Sequence, residues 1–300
     1  MPGKLAEEIE RLKNLKGGIV LAHSYQPGPI QDIADHVGDS LELSRIAADA
    51  GADLVVFCGV RFMAETAKLL SPESVVVLAA PDASCSLAAS MTADDLRTLK
   101  EKYPEAPAIV YVNSTVEVKA EAWSCCTSAN SIEVAEAAPG REIIFGPDRN
   151  LGTWVQRNTE KKVHIWAGGC HAHSGGDIRS LLDRKTRWPD AEVLVHPECP
   201  PVFWREADRV LGTGGMIRHI EESEAERFII GTEEGMIYRL ETLFPDKTFI
   251  PAGKIVCDDM GFTTLEHVLK SLESPEDEIT IPARLAEKAA LAVRRMTETG

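Results

Sequence analysis

The chain has no run of 18 or more apolar residues, so no transmembrane helix is expected. It has no excess of positive charge. Its 32 Lys and Arg stand against 47 Asp and Glu, and the net charge of −15 excludes a general nucleic-acid binder, which needs a basic face. It has no secretory leader pattern: "MPGKLAEEIERLKNLKGG" reads as a charged amphipathic helix, which places the protein in the cytoplasm. It also has no C-x-x-C pair, so zinc-ribbon and thioredoxin readings lack support. The seven cysteines are odd in number, and a chain of 300 residues needs no stapling, so a disulfide framework is not expected.

What is present is an alternation of short β-branched runs with helical patterns. "GIVLAH", "DLVVFCG", "SVVVLAA", "AIVYVN", "EIIFGPD", "KVHIWAG", "EVLVHPE", "RFIIGT" and "KTFIPAG" read as strands, and helical stretches such as "GMIYRLETL" lie between them. This predicts a parallel α/β architecture whose strands are buried on both faces.

The alternation also repeats. His23, Tyr111 and His196 follow comparable strands in steps of 88 and 85 residues, and Tyr25, Asn113 and Glu198 follow them two positions on. Ser40, Ser128 and Thr213 stand at helix starts with the same steps, and Gly59, Gly146 and Gly231 at steps of 87 and 85. Cys85, Cys170 and Cys257 are 85 and 87 apart. A unit of roughly 85 residues, a β-α-β-α-β layer, is thus repeated three times. The expected boundaries are 1–84, 85–170 and 171–257, with closing helices over 258–300.

Ligands of open parallel sheets bind outside the carboxyl ends of the strands. Three lobes with those ends facing one axis would bring the repeated polar residues together. Ser40, Ser128 and Thr213 each read as an ordinary N-cap. Three such helix starts on one centre form a trap for carboxylate or phosphate. Tyr25 and Glu198 are the types that move protons. One thiol per lobe, from Cys85, Cys170 and Cys257, favours a soft metal or an iron–sulfur cluster. "GGCHAH" also admits a zinc hydrolase using Cys170, His171 and His173, and a non-catalytic binder of dicarboxylates or phosphates is a third reading.

Together "AHSYQ", "IADHVGDSLELSR", "GVRFMAETAKLL", "YVNST", "TSAN", "FGPDRNLG", "GCHAH", "HPEC" and "TGGMI" resemble quinolinate synthase, an iron–sulfur enzyme family of NAD biosynthesis, over essentially the whole chain. The resemblance implies three α/β sandwich domains about a pseudo-threefold axis. It implies a 4Fe–4S cluster on Cys85, Cys170 and Cys257 with one iron open to substrate. It implies condensation of iminoaspartate with dihydroxyacetone phosphate to quinolinate, phosphate and two waters. The pocket residues it implies are His23, Ser40, Tyr111, Val112, Asn113, Ser128, His196, Pro197, Glu198 and Thr213. Tyr25 and Glu198 are the positions assigned to proton transfer. It also implies supply of iminoaspartate by L-aspartate oxidase or an aspartate dehydrogenase. The chain departs from the family pattern at Gly212, where Ser is common, at Ser24, and in the acidic pair after Cys257.

Overall fold

The computed structural model describes residues 2–299. Its strands form three four-stranded parallel sheets. The first holds β1 (Gly18–His23), β2 (His36–Gly38), β3 (Leu54–Cys58) and β4 (Val75–Leu78). The second holds β5 (Ala108–Tyr111), β6 (Ser124–Cys126), β7 (Glu142–Gly146) and β8 (Lys162–Ile165). The third holds β9 (Glu192–Val195), β10 (Arg209–Val210), β11 (Arg227–Gly231) and β12 (Thr248–Pro251). All three sheets share one strand order, second–first–third–fourth, and every pairing is parallel.

The repeat therefore has four strands where the sequence pattern shows three. The extra strand is β2, β6 or β10, an edge strand of two or three residues. "HVG", "SCC" and "RV" are too short to carry a period of two, and only pairing to the neighbouring first strand defines them. The inner strands behave as their apolar runs dictate: all five residues of β3 are buried, because helices cover both faces of the sheet.

The first two sheets share one continuous core, in which Phe57, Ile109 and Phe145 pack with Val293 and Met296 of the helix Ala283–Glu298. Lys119 is fully buried at this seam, where its Nζ donates to Thr66 Oγ1 at 2.7 Å and to Phe62 O at 3.2 Å. The outer face of the first sheet is closed by the helices Pro2–Lys16 and Leu265–Glu273 through Ile9, Leu12, Val268 and Leu272. The third sheet keeps separate cores on its two faces, around Leu181 and Phe203 on one and Phe228 and Leu240 on the other. No helix among the described residues is long and apolar enough to cross a membrane.

Candidate active site

The strand order places the chemistry. Ser40, Ser128 and Thr213 follow the second strands, at one edge of each sheet. His23, Tyr111 and His196 end or directly follow the first strands, where the chain direction splits to either side of the sheet. Cys85, Cys170 and Cys257 follow the fourth strands, at the opposite edge. Crossing the carboxyl edge of each sheet thus leads from hydroxyl to imidazole or phenol to thiol. Two adjoining chambers result. His23, Ser40, Tyr111, Ser128, His196 and Thr213 line the first, and the three cysteines line the second. Tyr25, Asn113, Glu198 and Met260 line both and form the wall between them. The first chamber has a volume of about 40 Å³, room for a few waters.

At the hydroxyl end the N-cap reading is corrected. Asp39 caps the helix Ser40–Asp49, accepting the N–H groups of Leu41 and Glu42 at 2.9 Å, and Ser40 is the first helical residue. Gly212 occupies the cap position before Thr213. Ser128 lies in the turn ahead of Asn130, which precedes the helix Ser131–Ala137. None of the three hydroxyls is spent on its own helix start. Gly212 has a steric reason: a Cβ there would come within 2.7 Å of Ser128 Oγ. The two repeated histidines are held alike. His23 Nδ1 accepts the N–H of Tyr25 at 3.2 Å, and His196 Nδ1 accepts that of Glu198 at 3.3 Å. Each ring then carries its proton on Nε2, and in His196 that proton goes to Ser128 Oγ at 3.0 Å. Burial lowers His23 to about 4 and His196 to about 3, so both are neutral donors at pH 7. No Lys or Arg lines this chamber. Asn113 Oδ1 is buried and has no partner.

The dividing wall is a short polar chain. Tyr25 Oη meets Thr232 Oγ1 at 2.5 Å, and Thr232 Oγ1 meets His173 Nε2 at 3.0 Å. His173 Nδ1 lies 3.3 Å from Cys170 Sγ and 3.4 Å from Glu198 Oε2, and its ring stacks on His196 at 4.8 Å. Glu198 Oε1 is buried without a partner. Burial raises the Glu198 carboxyl above its ordinary range, against the pull of His173. Burial, and then the neighbouring Glu198, raise the Tyr25 and Tyr111 phenols.

At the thiol end each cysteine precedes a four-residue helix: Ser86–Ala89, His171–Ser174 and Asp258–Gly261. Backbone N–H groups of those turns point at the sulfurs: Ala88 and Leu87 at Cys85, His173 at Cys170, and Met260 and Asp259 at Cys257. Such N–H groups suit a thiolate. Burial raises all three thiols, Cys85 to about 12 and Cys257 to about 11, so a cation must displace their protons. A Cβ on Gly168 would meet Pro147 O at 2.5 Å, so the tight "AGG" approach that delivers Cys170 requires glycine. Three soft donors with amide support, and no fourth cysteine in the lining, fit an iron–sulfur cluster with one position left open. Cys170, His173 and Glu198 also form a group whose ligand atoms lie within 4.8 Å of one another.

Not every expected residue reaches the chambers. Val112 and Pro197 are buried beside lining residues but line neither chamber. Sequence reasoning left His171 and His173 unassigned. Both line the thiol chamber, but differently: His173 is buried against the wall, whereas His171 is exposed and meets Ser86 Oγ at 2.9 Å through Nδ1. Thr232 and the buried carboxylates Asp148 and Glu233 escaped the sequence reading. Asp148 and Glu233 stand two positions after the repeated glycines Gly146 and Gly231, a signal that was available but was broken in the first unit by Arg61.

Comparison with known proteins covers the whole arrangement. The family model described as Quinolinate synthetase A protein matches residues 7–298. Quinolinate synthase 2 of Methanosarcina acetivorans is 44% identical over 97% of this chain and 94% of its own length. The quinolinate synthase of Dehalococcoides mccartyi is 45% identical over 97% of both chains, and that of Methanoregula boonei is 46% identical over the same shares. A match of this extent, on a threefold α/β frame with one thiol per unit, establishes that the chain belongs to the quinolinate synthase family.

Proposed function

We propose that this chain condenses iminoaspartate with dihydroxyacetone phosphate, giving quinolinate, phosphate and two waters. The balance closes without an oxidant or reductant: seven carbons, one nitrogen and one phosphorus enter and leave, and two C–O bonds are broken as water. The observation that carries the reading is the wall of Tyr25, Asn113 and Glu198, shared between a chamber of anion-binding donors and a chamber of three thiols.

The substrates are anions, and the first chamber meets them with neutral donors. The hydroxyls of Ser40, Ser128 and Thr213 and the Nε2–H groups of His23 and His196 bind carboxylate and phosphate oxygens beside two helix starts. Asn113 holds a buried acceptor that a substrate N–H or O–H satisfies. Glu198 offers a free oxygen to a proton in the same space. Burial raises its affinity for that proton above that of an ordinary carboxylate, the direction a general acid–base group needs. Tyr25, joined through Thr232 to His173, moves the second proton. Isomerisation and dehydration both need a proton taken from carbon and another delivered to a leaving hydroxyl, and these two groups perform that pair of transfers. Cys85, Cys170 and Cys257 would hold a 4Fe–4S cluster. When bound, it supplies a Lewis-acidic iron for a substrate hydroxyl or carboxylate.

A second reading follows from the compact group Cys170, His173 and Glu198, which could hold one zinc ion. It leaves Cys85 and Cys257 without a purpose and is the weaker of the two. Anaerobic purification decides between them. Brown protein with about four irons per chain that forms quinolinate from the two substrates supports the cluster enzyme. Colourless, oxygen-stable, zinc-loaded active protein supports the alternative. The cysteines need a reducing compartment, which fits a cytoplasmic enzyme. Because iminoaspartate is unstable in water, an L-aspartate oxidase or aspartate dehydrogenase is the expected supplier.

A further inference from the structure

Two buried carboxylates beside the thiol chamber take no part in the reaction proposed above: Asp148 after β7, outside its lining, and Glu233 after β11, within it. They are 85 residues apart and occupy the same place in their units. Asp148 is fully buried and Glu233 is 5% exposed, and among the described residues neither is ion-paired.

Each carboxylate uses both of its oxygens, in the same way. Asp148 Oδ2 accepts the backbone N–H of Cys170 at 3.0 Å, while Oδ1 accepts that of Leu151 at 2.7 Å in the first turn of the helix Arg149–Asn158. Glu233 Oε1 accepts the backbone N–H of Cys257 at 3.2 Å, while Oε2 accepts that of Gly235 at 2.7 Å, where the helix Gly235–Leu243 begins. One end of each strap is a ten- or nine-residue helix packed on its sheet. The other end is the amide of a cysteine. A helix cap alone needs only one of these bonds. The second bond goes to the thiol loop in both units.

The first unit has no such strap. Arg61 occupies the equivalent position and pairs with Glu65 in its own helix. The Cys85 loop keeps the backbone bond from the Arg61 N–H to Ala83 O at 3.1 Å, and its side-chain anchors come from other segments. Asp259, two residues after Cys257, accepts the N–H of Ser84 at 3.0 Å, and His171, next to Cys170, meets Ser86 Oγ at 2.9 Å.

We infer that Asp148 and Glu233 are positioning residues for the metal centre, fixing the Cys170 and Cys257 amides to rigid helix starts within their own units, whereas the Cys85 loop has no such carboxylate strap and takes its side-chain anchors from Asp259 and His171. The inference rests on reading the three cysteines as cluster ligands. The chemistry demands a carboxylate. An amide offers one acceptor oxygen and one NH2 group, so Asn or Gln would point a donor at one of the two N–H groups. Partners of metal ligands at this remove commonly carry about 10–100-fold in metal retention.

The test uses the full-length protein, anaerobically reconstituted with iron and sulfide. Asp148→Asn and Glu233→Gln are expected to lose iron to an excess of ferrous chelator about 10–100-fold faster than the wild type and to change the EPR line of the reduced cluster. Asp259→Asn keeps one accepting oxygen, which is all Ser84 needs, and is expected to lose iron at close to the wild-type rate. Unchanged rates and spectra in both Asp148→Asn and Glu233→Gln overturn the inference. Should either variant fail to fold, backbone amide exchange in the wild-type apoprotein gives the answer independently. The Cys170 and Cys257 amides are expected to be protected and the Cys85 amide to exchange quickly. Fast exchange at Cys170 and Cys257 overturns the inference. A wild-type protein that takes up no iron removes the cluster reading, and the exchange pattern still decides whether the straps exist.

Discussion

The two ends of the axial site use one device for different ends. At the hydroxyl end, helix starts after β2 and β10 and the turn after β6 present Ser40, Thr213 and Ser128 to a space with no Lys or Arg. At the thiol end, three four-residue helices present backbone N–H groups to Cys85, Cys170 and Cys257. Both ends present neutral amide and hydroxyl donors, in a chain whose net charge is −15. They differ in softness: oxygen and nitrogen groups line one end, sulfur the other. Both are threefold in plan. Between them the repeat breaks, where Tyr25, Asn113 and Glu198 are equivalent in position and different in kind. The two proton-transfer residues we propose, Tyr25 and Glu198, both fall at this diverging position.

The sharpest way to break that division is to remove a thiol. Cys257→Ser is expected to take the iron content from about four per chain to nearly none, while Cys58→Ser keeps it, because Cys58 is fully buried in the outer core of the first sheet. Iron and sulfide analysis after anaerobic reconstitution reads this directly, and a cluster that survives Cys257→Ser removes the assignment. Next comes the wall. Glu198→Gln and Tyr25→Phe are each expected to keep their iron and lose turnover by about 10²–10⁴-fold, the usual worth of a positioned acid or base. Normal quinolinate formation by Tyr25→Phe would take that residue out of the mechanism.

Effects at the hydroxyl end are smaller. Ser128→Ala removes one donor to a charged substrate and the partner of His196, and is expected to lower kcat/KM about 10–100-fold with the iron intact. The smallest effect is on pH dependence. An unfolded histidine takes up its proton near 6.5, whereas folded His196 does so only near 3. Between those values the unfolded chain binds more protons. The stability that this neutral ring contributes is therefore complete above about 6.5 and declines as pH falls towards 3. His196→Asn removes that decline. The stability deficit of the variant in urea unfolding is expected to shrink between pH 7 and pH 5, and a constant deficit would contradict the neutral, buried histidine.

Much of this was legible in the sequence, for a physical reason. A repeat that converges on an axis writes the residues it gathers there at a fixed period, so Cys85, Cys170 and Cys257, which line one chamber, could be picked out from seven cysteines by spacing alone. The inner strands were legible because burial on both faces leaves continuous apolar runs. The edge strands β2, β6 and β10 were not, since two or three residues carry no pattern and exist only through pairing. His173 was illegible because its place depends on Cys170, Thr232 and Glu198, which lie 3, 59 and 25 residues away along the chain. Asp148 and Glu233 were hidden differently. They differ in length, and Arg61 breaks their series, so no column of like residues marked them. The N-cap reading of Ser40 failed by one residue, because Asp39 is the better acceptor for the same N–H groups.

On the reading proposed here, one site joins a metal at the thiol end to an acidic substrate at the hydroxyl end. Mössbauer spectroscopy of the iron-57-loaded enzyme, recorded with and without quinolinate, checks for that junction. The expected result is a four-iron cluster in which a single iron shifts when quinolinate is added, with the shift lost or weakened in Ser128→Ala. Absence of a cluster, or a spectrum indifferent to quinolinate in a protein that binds it, would contradict the account.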